Sequence, residues 1–125
     1  MRKIAVIFPT LMLFTLTCSA QKARTFHGEI MDSQCANMGS HDMMEKKAGT
    51  KNAADCTKKC IGMGGKYVLY DRSTQTAYEL DDQEKAAPMA GERVTVTGTL
   101  DSSTKTIHVQ SIEQGGRRSG SNRSE

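Results

Sequence analysis

Apolar and polar residues alternate in five segments of the chain, which is the pattern of β-strands that bury one face. The first segment, RTFHGEIMD, begins at Arg24 and places Phe26, Gly28 and Ile30 on one face. A glycine inside a strand is typical of a bulge or of another backbone at close range, so we expect one of these at Gly28. The other four segments are KYVLYD, TAYEL, ERVTVTGTL and KTIHVQSIE.

Short polar turns predict how these strands pair. RSTQ separates the second strand from the third, and DSST separates the fourth from the fifth, so each pair is expected to form a hairpin. In the last segment Ile107 and Val109 share a face, whereas Ile112 breaks the alternation. This break predicts a β-bulge or a fraying strand end.

Residues 33–65 interrupt the strand pattern with a polar insertion. HDMMEKKAG predicts a short helix that opens with a capping box at Asp42 and ends at Gly49. NAADCTKKCIG predicts a second helix, with Asn52 as its N-cap and Gly62 just beyond its end.

The order of these elements favours a mainly β fold. One leading strand, a long insertion, a hairpin, a short connection and a closing hairpin suit a small five-stranded barrel of the OB type. The helical, cysteine-containing insertion would lie between strands 1 and 2. A closed sheet leaves no exposed strand edges, which favours it for a small β-protein. A flat sheet covered by one layer of helices is the alternative.

The first 20 residues have the pattern of a secretory signal peptide. Arg2 and Lys3 precede an apolar run, and small residues end the segment at Ala20, where we expect cleavage. The apolar run is shorter than the roughly 20 residues that a spanning helix needs. We therefore expect an exported protein of the periplasm or extracellular space. Lipidation of Cys18 is the alternative.

Residues 114–125 form a Gly/Ser/Arg tail that we expect to be disordered, which leaves residues 21–113 as one domain. The whole chain has 17 basic and 14 acidic residues, but leader and tail hold five of the former and one of the latter. The domain is thus close to neutral, and the chain has no tryptophan. Both features argue against nucleic-acid binding. We expect a monomer without a nucleic-acid partner.

Three cysteines would remain after cleavage of the leader. Cys56 and Cys60 are four residues apart in a predicted helix, so they project from the same side. Two such cysteines are poorly placed to bond each other. A disulfide would therefore join Cys35 to Cys56 or to Cys60 and tie the insertion to the sheet.

The same three sulfurs alternatively predict a metal site. Thiolates prefer Zn(II) or Cu(I), and His41 would complete a Cys₃His set. Thioether sulfurs nearby favour copper over zinc. These methionines are Met38, Met43, Met44 and Met63. Thiol–disulfide exchange within the trio is a third alternative, although the chain has no Cys-x-x-Cys motif.

Six segments between Phe26 and Glu113 carry a family resemblance: GEIMDSQC, CTKKC, GGKYVLYD, YELDDQEK, VTVTGTLD and TIHVQSIE. Together they resemble a family of small exported bacterial proteins with a domain of unknown function. DSQC and CTKKC are the most specific parts. The resemblance implies an OB-like fold, three cysteines and export. It supplies no catalytic or binding residues.

Catalytic motifs are absent from the sequence. It has no Gly-x-Ser-x-Gly, P-loop or His-Glu-x-x-His motif, and no set of nucleophile, base and orienting group can be assembled. His27 and His108 fall on the polar faces of strands, where we expect exposed side chains. We predict a non-enzymatic binding or structural domain of the cell envelope with a disulfide from Cys35. The alternatives are a copper- or zinc-binding protein and a thiol–disulfide redox protein.

Overall fold

The computed structural model describes residues 21–115, except for the side chains of Met44 and Ala48. Its elements are β1 (Arg24–Asp32), α1 (Ser33–Met38), α2 (Asp42–Ala48), α3 (Ala53–Gly62), β2 (Tyr67–Asp71), β3 (Thr76–Leu80), α4 (Gln83–Ala86), a 3₁₀ helix (Ala87–Met89), β4 (Arg93–Asp101) and β5 (Thr106–Gln114).

The five strands belong to one sheet that closes into a ring in the order β1-β2-β3-β5-β4, with β4 pairing back to β1. Neighbouring strands are antiparallel except for β3 and β5, which pair in parallel over two residues each. The predicted mainly β fold is therefore confirmed, with five strands in a closed sheet and a helical insertion between β1 and β2. The narrower OB classification stays a prediction.

Residues 29–32 of β1 and 67–70 of β2 are buried on both faces of the sheet. Successive side chains of a strand point to opposite sides. Ile30 and Leu69 pack inside the ring. Met31 and Val68 belong instead to a second buried cluster, which lies where α1 and α3 pack on the ring. We call it the outer cluster, and it comprises Met31, Cys35, Ala36, Cys56, Val68 and Tyr70.

Two irregularities of the sheet agree with the sequence pattern. A Cβ atom on Gly28 would lie 2.6 Å from the carbonyl oxygen of Tyr70, so the expected close backbone approach is confirmed. The β4–β5 register shifts between Thr97 and Gly98. This shift accounts for the broken alternation at Ile112 on β5.

Both predicted helices of the insertion are present, as α2 and α3, but their ends differ in part from the prediction. Asn52 caps α3 and Gly49 ends α2, as expected. The N-cap of α2 is His41, so the capping box at Asp42 was wrong. The prediction that α3 stops before Gly62 was also wrong, because this residue keeps its helical conformation.

The predicted leader, residues 1–20, lies outside the described residues, and so do residues 116–125 of the predicted tail. Export, cleavage near Ala20 and lipidation of Cys18 therefore stay predictions. Strand β5 runs to Gln114, one residue past the predicted end of the domain. Between residues 21 and 115, no helix has the length and apolar character needed to cross a membrane.

Gly28→Ala is expected to lower the free energy of unfolding by about 1–3 kcal/mol, the usual cost of forcing extra atoms into a packed interior. The obstructing atom is a backbone carbonyl, which cannot rotate away as a side chain could. Gly62→Ala is the matched control, since a Cβ there meets nothing within 4 Å and helical alanine is favoured over glycine. Chemical denaturation should show destabilisation only in the first variant, and equal stability of the two would contradict the packing at Gly28.

Candidate metal centre

The position of the first sulfur, that of Cys35, is set where β1 is followed directly by α1. Asp32 is the last residue of β1 and the N-cap of α1. Its Oδ1 accepts hydrogen bonds from the backbone N–H groups of Gln34 at 2.9 Å and Cys35 at 3.1 Å. These bonds satisfy donors that a helix start leaves free. The Cys35 side chain is thereby held in the outer cluster.

The other two sulfurs come from α3. Cys56 and Cys60 lie one turn apart, and both are fully buried. The three Sγ atoms all lie within 4.8 Å of one another, and those of Cys35 and Cys56 are 4.0 Å apart. The predicted meeting of Cys35 with the helical pair is therefore confirmed. All three cysteines are free thiols in the structure, and the disulfide from Cys35 stays a prediction.

The surroundings of Cys35 and Cys60 disfavour charge in the absence of a cation. Burial raises the pKa of Cys35, and the neighbouring Asp32 carboxyl raises it further. Burial also raises the pKa of Cys60. Both sulfurs are therefore protonated at neutral pH in the metal-free protein, and a bound metal would displace these protons.

A second group of potential ligands shares Cys35 with the first. This group consists of Asp32, Cys35 and His41, which are all buried. Each residue offers one potential ligand atom, and these three atoms lie within 4.8 Å of one another. Asp32 Oδ2 and His41 Nδ1 have no hydrogen-bond partner among the described residues. Buried polar atoms are almost always paired, so two unpaired atoms on residues beside Cys35 are consistent with a ligand such as a cation at this position.

His41 is oriented by a buried carboxylate. Its Nε2 lies 2.9 Å from Oε1 of Glu29, on β1. The other carboxylate oxygen, Oε2, accepts hydrogen bonds from Nη2 of Arg72 at 2.8 Å and from its Nε at 3.2 Å. Although His41 is the N-cap of α2, its side chain makes no capping hydrogen bond. The ring is therefore held by Glu29 and not by the helix that it begins.

The methionines that favoured copper are mostly at the surface. The exposed fractions of Met38, Met43 and Met63 are 46%, 60% and 59%, whereas the three cysteines are fully buried. The side chain of Met44 is outside the described part of the structure. Another methionine, Met31, is fully buried in the outer cluster and was missed from the sequence.

Sequence reasoning also missed Glu29 and Asp32 as parts of the site. Acidic residues in a strand of alternating pattern are usually solvent-exposed, and only tertiary contacts bury these two. The one local signal was Asp32 ahead of a helical segment, because aspartate is a favoured N-cap. His27 and His108 are exposed, as predicted.

Comparison with known proteins gives a match to one family. The family model described as "Protein of unknown function (DUF5818)" matches residues 61–115, which is under half of the chain. The match begins directly after Cys60, so it includes β2 to β5 but neither β1 nor any of the three thiols. Bacterial origin and the three-cysteine pattern therefore stay predictions. No match was found among curated proteins or among solved structures.

The three thiols are expected to resist alkylation in the folded, reduced, metal-free protein, because they are fully buried. If exposure requires an opening that costs roughly 3 kcal/mol, iodoacetamide should react about 100-fold more slowly than with unfolded protein. Ser102→Cys supplies an exposed thiol in the same molecule as a control. Among residues 21–115, mass spectrometry of timed samples should show rapid labelling at residue 102 alone. Equally rapid labelling of Cys35, Cys56 or Cys60 would contradict the burial of these thiols.

Proposed function

We propose that this chain is an exported, non-enzymatic domain in which a buried zinc ion, held by Cys35, Cys56 and Cys60, fastens the helical insertion to the sheet. The observation that carries the proposal is the meeting of three buried Sγ atoms within 4.8 Å, although Cys35 and Cys56 are 21 residues apart in the chain. Thiolate sulfur is the preferred ligand of structural zinc. The leader pattern in residues 1–20 supports export.

Charge favours zinc over copper at this site. Three thiolates would place three negative charges within 4.8 Å of one another, and the buried Asp32 carboxylate lies beside one of them, Cys35. Zn(II) offsets two of these negative charges and Cu(I) only one, and uncompensated buried charge is costly. The three methionines with described, exposed side chains remove part of the argument for Cu(I).

Burial supports a structural role over a catalytic one. Catalytic zinc keeps an open coordination position for water or substrate, whereas structural zinc is enclosed by protein ligands. The three cysteines and Asp32 have no solvent-exposed surface, and His41 is nearly as buried. A substrate would have no access to an ion at this position. We therefore infer a role in holding the fold rather than in catalysis.

A disulfide is the second candidate, because the Sγ atoms of Cys35 and Cys56 are already 4.0 Å apart. Closing this loop would stabilise the fold by about 3 kcal/mol on the chain-entropy argument. Cys60 would then remain as a thiol beside the bond, and exchange among the three sulfurs would give the redox alternative. Zinc and the disulfide compete for the same sulfur atoms, so a single molecule can hold only one of them at Cys35.

The deciding experiment analyses the protein after export to the periplasm of a bacterial host, once intact mass has verified that the leader with Cys18 is removed. Elemental analysis measures bound zinc and copper, and intact mass after alkylation without reductant counts free thiols once the metal has been chelated. One equivalent of zinc and three alkylated thiols would support the proposal. One alkylated thiol without metal would support the disulfide and overturn the zinc site. One equivalent of copper would contradict the choice of metal.

Cys60→Ser separates the two candidates. In the zinc site it removes a ligand, so bound zinc should fall well below one equivalent, and added zinc should no longer raise the melting temperature. For the intact site, free zinc at 100 times Kd would stabilise the fold by about 2.7 kcal/mol. Met63→Ser is the control, since this exposed thioether lies near the same end of α3. Undiminished zinc binding in Cys60→Ser would contradict the three-sulfur site.

A further inference from the structure

We propose that His41 Nδ1 is the fourth zinc ligand and that Glu29, supported by Arg72, is the positioning residue that presents it. This inference rests on the three-thiolate zinc site proposed above. Zinc in structural sites is almost always four-coordinate, so three thiolates leave one position to fill. The residues that share a ligand group with Cys35 are Asp32 and His41.

The hydrogen bond between His41 and Glu29 selects the free nitrogen. A carboxylate can only accept, so Nε2, which lies 2.9 Å from Oε1 of Glu29, carries the proton. In the neutral imidazole the lone pair then belongs to Nδ1. This is the buried nitrogen without a hydrogen-bond partner in the described part of the chain. A metal-binding histidine typically donates its other N–H group to a carboxylate in this way.

Arg72 keeps the orienting carboxylate in place. Glu29 is buried, and a buried carboxylate without a partner would be costly. Two nitrogens of the Arg72 guanidinium donate to its Oε2, while Oε1 remains for His41. Since the side chain of Arg72 is about half exposed, the charge of Glu29 is balanced from the surface. The three residues therefore form a chain of contacts from solvent to the candidate zinc ligand.

Asp32 is the competing fourth ligand, and its cap on α1 disfavours it. One of its oxygens makes the capping hydrogen bonds, while Oδ2 is the unpartnered atom. The cap gives this carboxylate a structural role without metal. The His41 side chain, in contrast, makes no capping hydrogen bond in α2.

The test replaces zinc by cobalt(II), whose visible spectrum reports the ligand set, and compares two variants with the full-length wild-type chain. His41→Gln replaces the imidazole by a polar amide and so removes the Nδ1 lone pair. Glu29→Gln keeps the shape and an accepting oxygen but removes the charge. Both should weaken zinc binding by about 10–100-fold in competition with a chelator of known affinity. His41→Gln should also change the cobalt spectrum, whereas Glu29→Gln should largely retain it.

His27→Gln is the matched control, because this exposed histidine lies on the same strand as Glu29. A nitrogen-15 NMR correlation of the histidine rings gives a readout that a purely structural role would not move. The Nδ1 resonance of His41 should shift when zinc is added, while Nε2 stays protonated. Circular dichroism of the variants with and without zinc shows whether they are folded.

The failures of the two proposals are distinguishable. Absence of zinc binding in the wild-type chain would overturn both. Zinc binding through the thiols that is unchanged in affinity and cobalt spectrum by His41→Gln would overturn only the fourth ligand. A spectral change in Asp32→Asn but not in His41→Gln would assign that position to Asp32. Two equivalents of zinc would also overturn the inference, because the group of Asp32, Cys35 and His41 would then hold an ion of its own.

Discussion

The cap that Asp32 places on α1 is the interaction on which the candidate site depends. A fully buried carboxylate is costly unless its oxygens are paired, and two backbone N–H groups pair with Oδ1. The same two bonds turn the chain from strand into helix within one residue and place Cys35 against the ring. Because α1 has only six residues, it would be marginal without its cap and its packing.

The strands were predictable, because alternation of apolar and polar residues reports which positions face a core. The closure of the sheet was predictable from the order of the elements and from the need to protect strand edges. Two local exceptions to the alternation also had a structural cause. Gly28 lies close to the backbone of Tyr70, and a register shift between β4 and β5 precedes Ile112. The helical insertion was predicted in outline, and so was the meeting of its three sulfurs. What the sequence did not supply was α1, whose short polar segment has no periodicity to detect.

The remaining parts of the site depend on contacts between distant residues. Glu29 is 12 residues from His41 and 43 from Arg72, and no local pattern links the three. Zinc sites are usually found in sequence by short ligand spacings, whereas the gap between Cys35 and Cys56 is 21 residues and matches no standard spacing. The side on which a methionine of a short helix falls is equally a matter of tertiary packing. The fold exposes Met38, Met43 and Met63, and their number near the cysteines in sequence could not show this.

Residues 61–115, which match the family model, cannot close the sheet without β1. This strand pairs with β2 on one side and β4 on the other, and it lies outside the matched residues 61–115. A fragment limited to the matched residues would expose two rows of unpaired backbone N–H and C=O groups, and such rows recruit strands from other molecules. The gap between β2 and β4 would accept one strand that pairs antiparallel with both. Donation of the missing strand by a second chain, as in domain swapping, would restore the ring at the cost of making the protein a dimer.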